Sequence, residues 1–184
     1  REPNIYLMDE PLSSLDAKLR ETLRVELKNI QINLKSTILY VTHDQAEATT
    51  LADMIGVLKE GKIVQIGSPE EIYENPNSIY VSQRLGSPKI NILPASIFGT
   101  INNIPTIGIR PENIAIGKGQ YSGKVISLEN LGSETVIAIS FKEYEILASI
   151  QGNYKTSINE IINFDINTQK VLNFDEKGNR IYER

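Results

Sequence analysis

At Gly86-Ser87-Pro88 the texture of the chain changes, and this change limits the fold more than any other feature. Before it, apolar runs alternate with helical patterns. Ile5–Met8 is a continuous apolar run that ends in Asp9-Glu10 and is stopped by Pro11. Leu19, Leu23, Leu27, Ile30 and Leu34 then recur at helical spacing on one face, with Ser13 and Asp16 as candidate caps. A β-branched run over Thr37–Thr42 follows, and then a short helical pattern from Asp44 to about Ala52. Met54–Leu58 and Ile63–Ile66 flank Lys59-Glu60-Gly61-Lys62 as a hairpin, and Pro69 opens another short helix. Strand, helix, strand, helix is the order of a parallel α/β sheet. With two parallel strands and one crossover the sheet is thin, because parallel sheets are normally buried on both faces. The half is therefore expected to be incomplete at its N-terminal side.

After the linker, long helical periodicity disappears. Ile107–Ile109, Ile114–Ile116, Lys124–Leu128, Thr135–Ile139, Ile146–Ile150 and Lys170–Phe174 are short alternating or β-branched runs separated by turns. They predict a small β-barrel or sandwich. The expected domains are thus 1–86 and 87–184.

Composition narrows the chemistry. The 184 residues hold 19 basic and 23 acidic side chains, a net charge of −4, which argues against a nucleic-acid surface spread over the fold. The absence of cysteine removes disulfides, thiolate nucleophiles and cysteine-held zinc. A single histidine is too few for most histidine-rich metal sites. No apolar run approaches the roughly 18 residues of a membrane helix.

Two strand ends carry the candidate chemistry. A buried strand ending in Asp9-Glu10 places two carboxylates at the edge where open α/β sheets bind ligands. One can hold Mg²⁺, directly or through water, while the other polarises an attacking water beside a phosphate. Alternatively, the strand simply ends in solvated acids before a turn. His43, the sole histidine, lies where the second strand gives way to a helix. A βαβ unit would set that strand beside the first, so that His43 and the acids face one site. A neutral imidazole there could donate to a transferring phosphoryl oxygen and orient the water.

These residues resemble the second half of an ABC transporter ATPase. Ile5–Glu10 is similar to the Walker B strand, Ser13–Asp16 to the D-loop, and Val41–Gln45 to the switch-histidine segment. Thr42-His43-Asp44-Gln45-Ala46-Glu47-Ala48, Gly61-Lys62-Ile63-Val64-Gln65-Ile66-Gly67 and Pro69-Glu70-Glu71-Ile72-Tyr73 resemble the sugar-importer branch, of the maltose-transport type. Asn91-Ile92-Leu93-Pro94, Gly108-Ile109-Arg110-Pro111-Glu112, the run Leu128–Thr135 and Gly178-Asn179-Arg180-Ile181 resemble the linker and regulatory-domain motifs of that branch. The resemblance implies a partial P-loop NTPase domain of α/β class lacking its N-terminal half, followed by an all-β, OB-like transport-associated domain. It implies that Glu10 is the general base for ATP hydrolysis, that Asp9 holds Mg²⁺, and that His43 contacts the γ-phosphate. Ser14 and Asp16 would belong to a loop crossing a dimer interface. The implied partners are a second ATPase subunit, membrane permease subunits and, indirectly, a solute-binding protein. The place would be peripheral, on the cytoplasmic side of the membrane. Sugars are the expected solutes, with polyamines, iron or oxyanions as alternatives. For Gly108–Glu112, a solvated structural turn with Arg110 pairing Glu112 is as consistent as a regulatory role.

One part of the family pattern is missing. Gly56-Val57-Leu58-Lys59-Glu60-Gly61-Lys62 matches G-x-x-x-x-G-K, but Ile63 follows where a hydroxyl should bind Mg²⁺. The match also bridges two hairpin strands, whereas a phosphate loop joins a strand to a helix. The family's phosphate loop, glutamine loop and signature segment would all precede Arg1, so the start reads as a truncation and the chain alone is expected to be inactive. The alternative is a non-enzymatic module whose β domain senses a small ligand or forms a dimer.

Overall fold

The computed structural model describes residues 5–34, 37–99 and 104–182; the side chain of Leu34, expected on the helix stripe, lies outside them. The chain divides into two compact units, residues 1–75 and 76–184.

In the first unit, β1 (Ile5–Asp9) and β2 (Thr37–Val41) pair in parallel, joined by α1 (Ala17–Leu34). Asp16 caps α1, its Oδ1 accepting from the Leu19 amide at 3.0 Å. Ser13 takes another role: its hydroxyl donates to the Glu10 carbonyl at 2.9 Å. A short helix, α2 (Gln45–Leu51), follows β2, with Asp44 as its cap, accepting from the amides of Ala46 and Glu47. Lys28 donates to the Leu51 carbonyl at 2.9 Å, and Gln31 to Asp53 at 2.9 Å, fastening α1 to the end of α2.

The hairpin forms as β3 (Ile55–Lys59) and β4 (Lys62–Gly67). Its turn residues Glu60 and Gly61 have φ of 49° and 75°, the type I′ geometry that suits strand twist. The G-x-x-x-x-G-K match is therefore a hairpin. The next helix, α3 (Pro69–Glu74), is capped by Ser68 and buries Ile72 completely.

The two faces of the β1–β2 sheet differ. Tyr6, Met8, Ile38 and Tyr40 are half-buried, while Ile5, Leu7, Leu39 and Val41 are 59%, 75%, 61% and 50% exposed. A parallel sheet usually has both faces covered. Among the described residues of this unit, only Leu12, Val57 and Ile72 are buried large apolar side chains.

The second unit starts earlier than the Gly86–Pro88 linker. Its first helix, α4 (Ile79–Ser82), is tied to the end of the chain: the Ile79 amide donates to the Gly178 carbonyl, and the Arg180 amide to Asn77. Two antiparallel four-stranded sheets follow. The first, in the order β12-β11-β6-β5, comprises β5 (Asn91–Pro94), β6 (Thr106–Ile109), β11 (Leu172–Phe174) and β12 (Arg180–Ile181). The second, in the order β10-β7-β8-β9, comprises β7 (Ile114–Asn130), β8 (Glu134–Phe141), β9 (Tyr144–Gln151) and β10 (Ile161–Ile166). One core serves both sheets, with Ile107, Ile109, Val125, Ile137, Ile139, Ile146 and Phe164 fully buried. Phe164 meets Phe141 edge-on at 5.2 Å between ring centres, and Phe98 and Tyr121 complete the aromatic group.

Two expectations need correction here. Ile114–Ile116 and Lys124–Leu128 are parts of one strand, β7, because glycines let the strand bulge without ending. Its pairing with β10 jumps from Ser122↔Asn163 to Ile116↔Phe164. Gly119 sits in the bulge at φ +155°, where a Cβ would lie 2.1 Å from the Phe164 carbonyl oxygen. Arg110 is not solvated but 4% exposed, with Nη1 donating to the carbonyls of Ser82 at 3.1 Å and Leu85 at 2.7 Å. It thereby fixes residues 82–85 to the second unit.

Phe164→Ala should cost about 3–5 kcal/mol, the usual loss for a fully buried phenyl ring. Urea denaturation of the 184-residue chain, followed by a probe in the second unit, measures it. A loss below about 1 kcal/mol would show that the aromatic group does not anchor this core.

Candidate functional site

The parallel register matches Asp9 with Val41, so both strands end level. The ladder continues one step further, the Glu10 amide donating to the Val41 carbonyl at 2.9 Å. Glu10 then takes φ +44°, a left-handed conformation that costs a non-glycine residue on the order of 1 kcal/mol. Its carbonyl is held by the Ser13 amide and hydroxyl, which fixes the turn. This geometry lets the Glu10 side chain meet His43, with Nδ1 2.9 Å from Oε1. A carboxylate only accepts, so Nδ1 carries the proton and Nε2 is left for another partner. His43 is 74% exposed and Glu10 43%, leaving both within reach of a ligand.

The expected residues are not all gathered together. Glu10 and His43 touch. Asp9 is exposed and lies, by strand alternation, on the opposite face with Leu7. Ser14 is exposed in the turn before α1, and the Asp16 carboxylate serves as the helix cap. Among the described residues, no three histidine or acidic side chains converge into a metal-holding group. Asp9 is a single hard oxygen donor, suited to Mg²⁺ only with water or phosphate oxygens completing the shell.

Glu47, named above only within the Thr42–Ala48 motif, has a structural role of its own. It is 2% exposed, and its Oε2 accepts from Tyr40 Oη at 2.9 Å and Thr42 Oγ1 at 2.7 Å. The Thr42 hydroxyl also accepts from the Asp44 amide at 3.0 Å. The spacing Asp44-x-x-Glu47 is that of a capping box, in which the glutamate reaches back to the cap amide. Here a threonine hydroxyl stands between the two. The spacing was therefore the available signal. Burial, and next the Glu47 hydrogen bond, push the Tyr40 phenol well above its ordinary range.

The hydrogen bond to Glu10, followed by that group's charge, raises the His43 pKa above its ordinary 6.5. Asp44 and Glu47 act in the same sense. Stability from the pair is fully present below the ordinary imidazole pKa and is lost as pH rises through the raised value. Glu10→Gln should bring the His43 pKa down toward 6.5. Because His43 is the sole histidine, its ring resonances report this directly in an NMR titration. Identical titration in both proteins would mean that the contact does not form.

Comparison with known proteins gives the frame for this geometry. No family model matches the chain. An ABC transporter ATP-binding protein of Sinorhizobium fredii is 39% identical over 173 aligned positions, covering 82% of this chain and 47% of the relative. The sn-glycerol-3-phosphate import ATP-binding protein of Psychromonas ingrahamii is 37% identical, over 95% of this chain and 54% of its own length. The sulfoquinovosyl glycerol transport ATP-binding protein of Agrobacterium fabrum is 35% identical, over 98% of this chain and 58% of its own length. The chain spans about half the length of the relatives it matches. Across nearly all of its own length, it belongs to the ABC transporter ATP-binding proteins.

Proposed function

We propose that residues 1–75 contribute the hydrolytic edge of the ATP site in an importer subunit, and that residues 76–184 are its regulatory, OB-like domain. The Glu10–His43 contact at 2.9 Å, at the ends of two parallel strands, carries this reading. Glu10 accepts the proton of the attacking water while His43 Nδ1–H holds its Oε1 and fixes the carboxylate plane. With both ring nitrogens protonated, the form that the contact with Glu10 favours, the outward Nε2–H of His43 would donate to a transferring phosphoryl oxygen, and Asp9 would contribute one oxygen to the Mg²⁺ shell. When bound, MgATP supplies the phosphoryl group and the charge that the metal neutralises. Ser14 and Asp16 face a second copy of the subunit.

The phosphates also need a cradle of backbone N–H groups, and none of the 184 residues forms a strand-to-helix glycine loop ending in Lys-Ser/Thr. The cradle comes from a segment outside these residues. The names of the glycerol-3-phosphate and sulfoquinovosyl glycerol relatives favour a sugar or glycerol-linked solute, with polyamine, iron or oxyanion uptake as alternatives. The subunit then works on the cytoplasmic face of the membrane beneath permease subunits, fed by a solute-binding protein. No described helix is long and apolar enough to cross a membrane itself.

The self-contained core of the second unit favours one further reading, in which this domain alone binds a small ligand or dimerises. Thermal shift on residues 76–184 with a panel of sugars and oxyanions tests it, and an unmoved Tm across the panel removes the ligand-sensing form.

The 184-residue chain by itself should show negligible ATP turnover. In a subunit of the relatives' full length carrying these residues, Glu10→Gln should lower kcat by about 100-fold or more while ATP still binds. Wild-type turnover in that variant would sink the assignment of Glu10.

A further inference from the structure

Glu10 and His43 lie on two separate loops, residues 10–16 and 42–44, and the side chain of Arg20 touches both. Arg20 stands in the first turns of α1, its amide donating to the Asp16 carbonyl at 2.9 Å. Its Nη2 donates to the Leu15 carbonyl at 2.8 Å, inside the Ser13–Asp16 loop. Its Nη1 lies 3.5 Å from Asp44 Oδ2, on the residue next to His43. The other Asp44 oxygen caps α2, and the Asp44 amide is held through Thr42 Oγ1 to the buried Glu47. His43 is thus flanked by two residues that cannot shift independently of α2, and α2 is tied through Asp44 to Arg20.

We propose that Arg20 is a positioning residue that locks the Ser13–Asp16 loop to the His43 loop, so that the Glu10–His43 contact depends on its guanidinium fork. An ion pair at 3.5 Å with side chains 31% and 26% exposed stabilises little. Its effect is geometric. A planar fork presents two donors at fixed separation and so spans a carbonyl and a carboxylate together, which a lysine ammonium on a flexible stem does not. A movement of the Ser13–Asp16 loop, the segment read above as facing a second subunit, then reaches His43 through one side chain. The relevance to hydrolysis rests on that reading; the bridge itself does not.

The test is an NMR titration of His43 in the 184-residue chain without nucleotide, for wild type, Glu10→Gln, Arg20→Lys and Arg20→Ala. The sign of the shift is diagnostic. Loss of a nearby cation, with Asp44 freed, would raise the His43 pKa through space. Loss of positioning separates His43 from Glu10 and lowers it. Arg20→Ala should shift the pKa downward, toward the Glu10→Gln value, and Arg20→Lys should do so to a smaller extent although it keeps the charge. An unchanged or raised pKa in both Arg20 variants, with the amide signals of β2 and α2 in their wild-type positions, overturns the proposal. Should Arg20→Ala not fold, Arg20→Lys decides alone, since it preserves charge and helix propensity. In a full-length subunit, Arg20→Lys should lower kcat with KM for ATP unchanged. An unaltered kcat there, where Glu10→Gln is inactive, also counts against the bridge. If wild type itself turns over no ATP, the hydrolytic reading fails, while the titration still judges Arg20.

Discussion

The site depends on the parallel pairing of β1 with β2. Parallel strands cannot be joined by a tight turn, so the chain must cross over, and α1 performs the crossing. The pairing runs without a slip from Ile5↔Thr37 to Asp9↔Val41, which brings both exits to one edge. A shift of one residue would turn the side chains of β2 to the opposite face relative to β1. It would also move Glu10 away from the imidazole. Register and the Glu10–His43 contact are therefore one structural decision, taken in five residues of each strand.

The described residues of the two units are held together by different contacts. The second gathers large side chains of two sheets into a main core that includes aromatic rings, with a smaller cluster of Ile90, Leu172 and Phe174. The first leaves a row of aliphatic side chains on its sheet in contact with water. Polar fastenings tie its elements together: Asp16 and Asp44 at helix starts, Lys28 and Gln31 at the end of α2, and Glu47 beneath the His43 loop.

Local signals were legible in the sequence. The leucine spacing gave α1, Glu60-Gly61 marked the hairpin turn, and the strand end at Asp9-Glu10 together with the lone histidine pointed to the site. What escaped depends on contacts between distant segments. Residues 76–86 read as the tail of the first unit because their partners, Gly178 and Asn179, lie about a hundred residues further on. The strand β10 has the alternation Ile162, Phe164, Ile166, but the adjacent Ile161 obscures it. The bulged middle of β7 looked like a break because its glycines are read as turn residues until Phe164 supplies the reason for them. The burial of Arg110 and Glu47 likewise depends on partners outside their immediate segment or on a threonine hydroxyl inserted between cap and glutamate.

Glu47 has a consequence of its own. Three acids, Glu10, Asp44 and Glu47, lie close enough to His43 to affect its charge, yet they differ in what they can do. Asp44 is committed to a helix start and an arginine, and Glu47 to two hydroxyls away from solvent. Glu10, with its side chain 43% exposed, is the most open of the three to water. The fold thus leaves Glu10 as the one of the three that bonds the imidazole itself, while Asp44 and Glu47 hold the loop on which His43 sits.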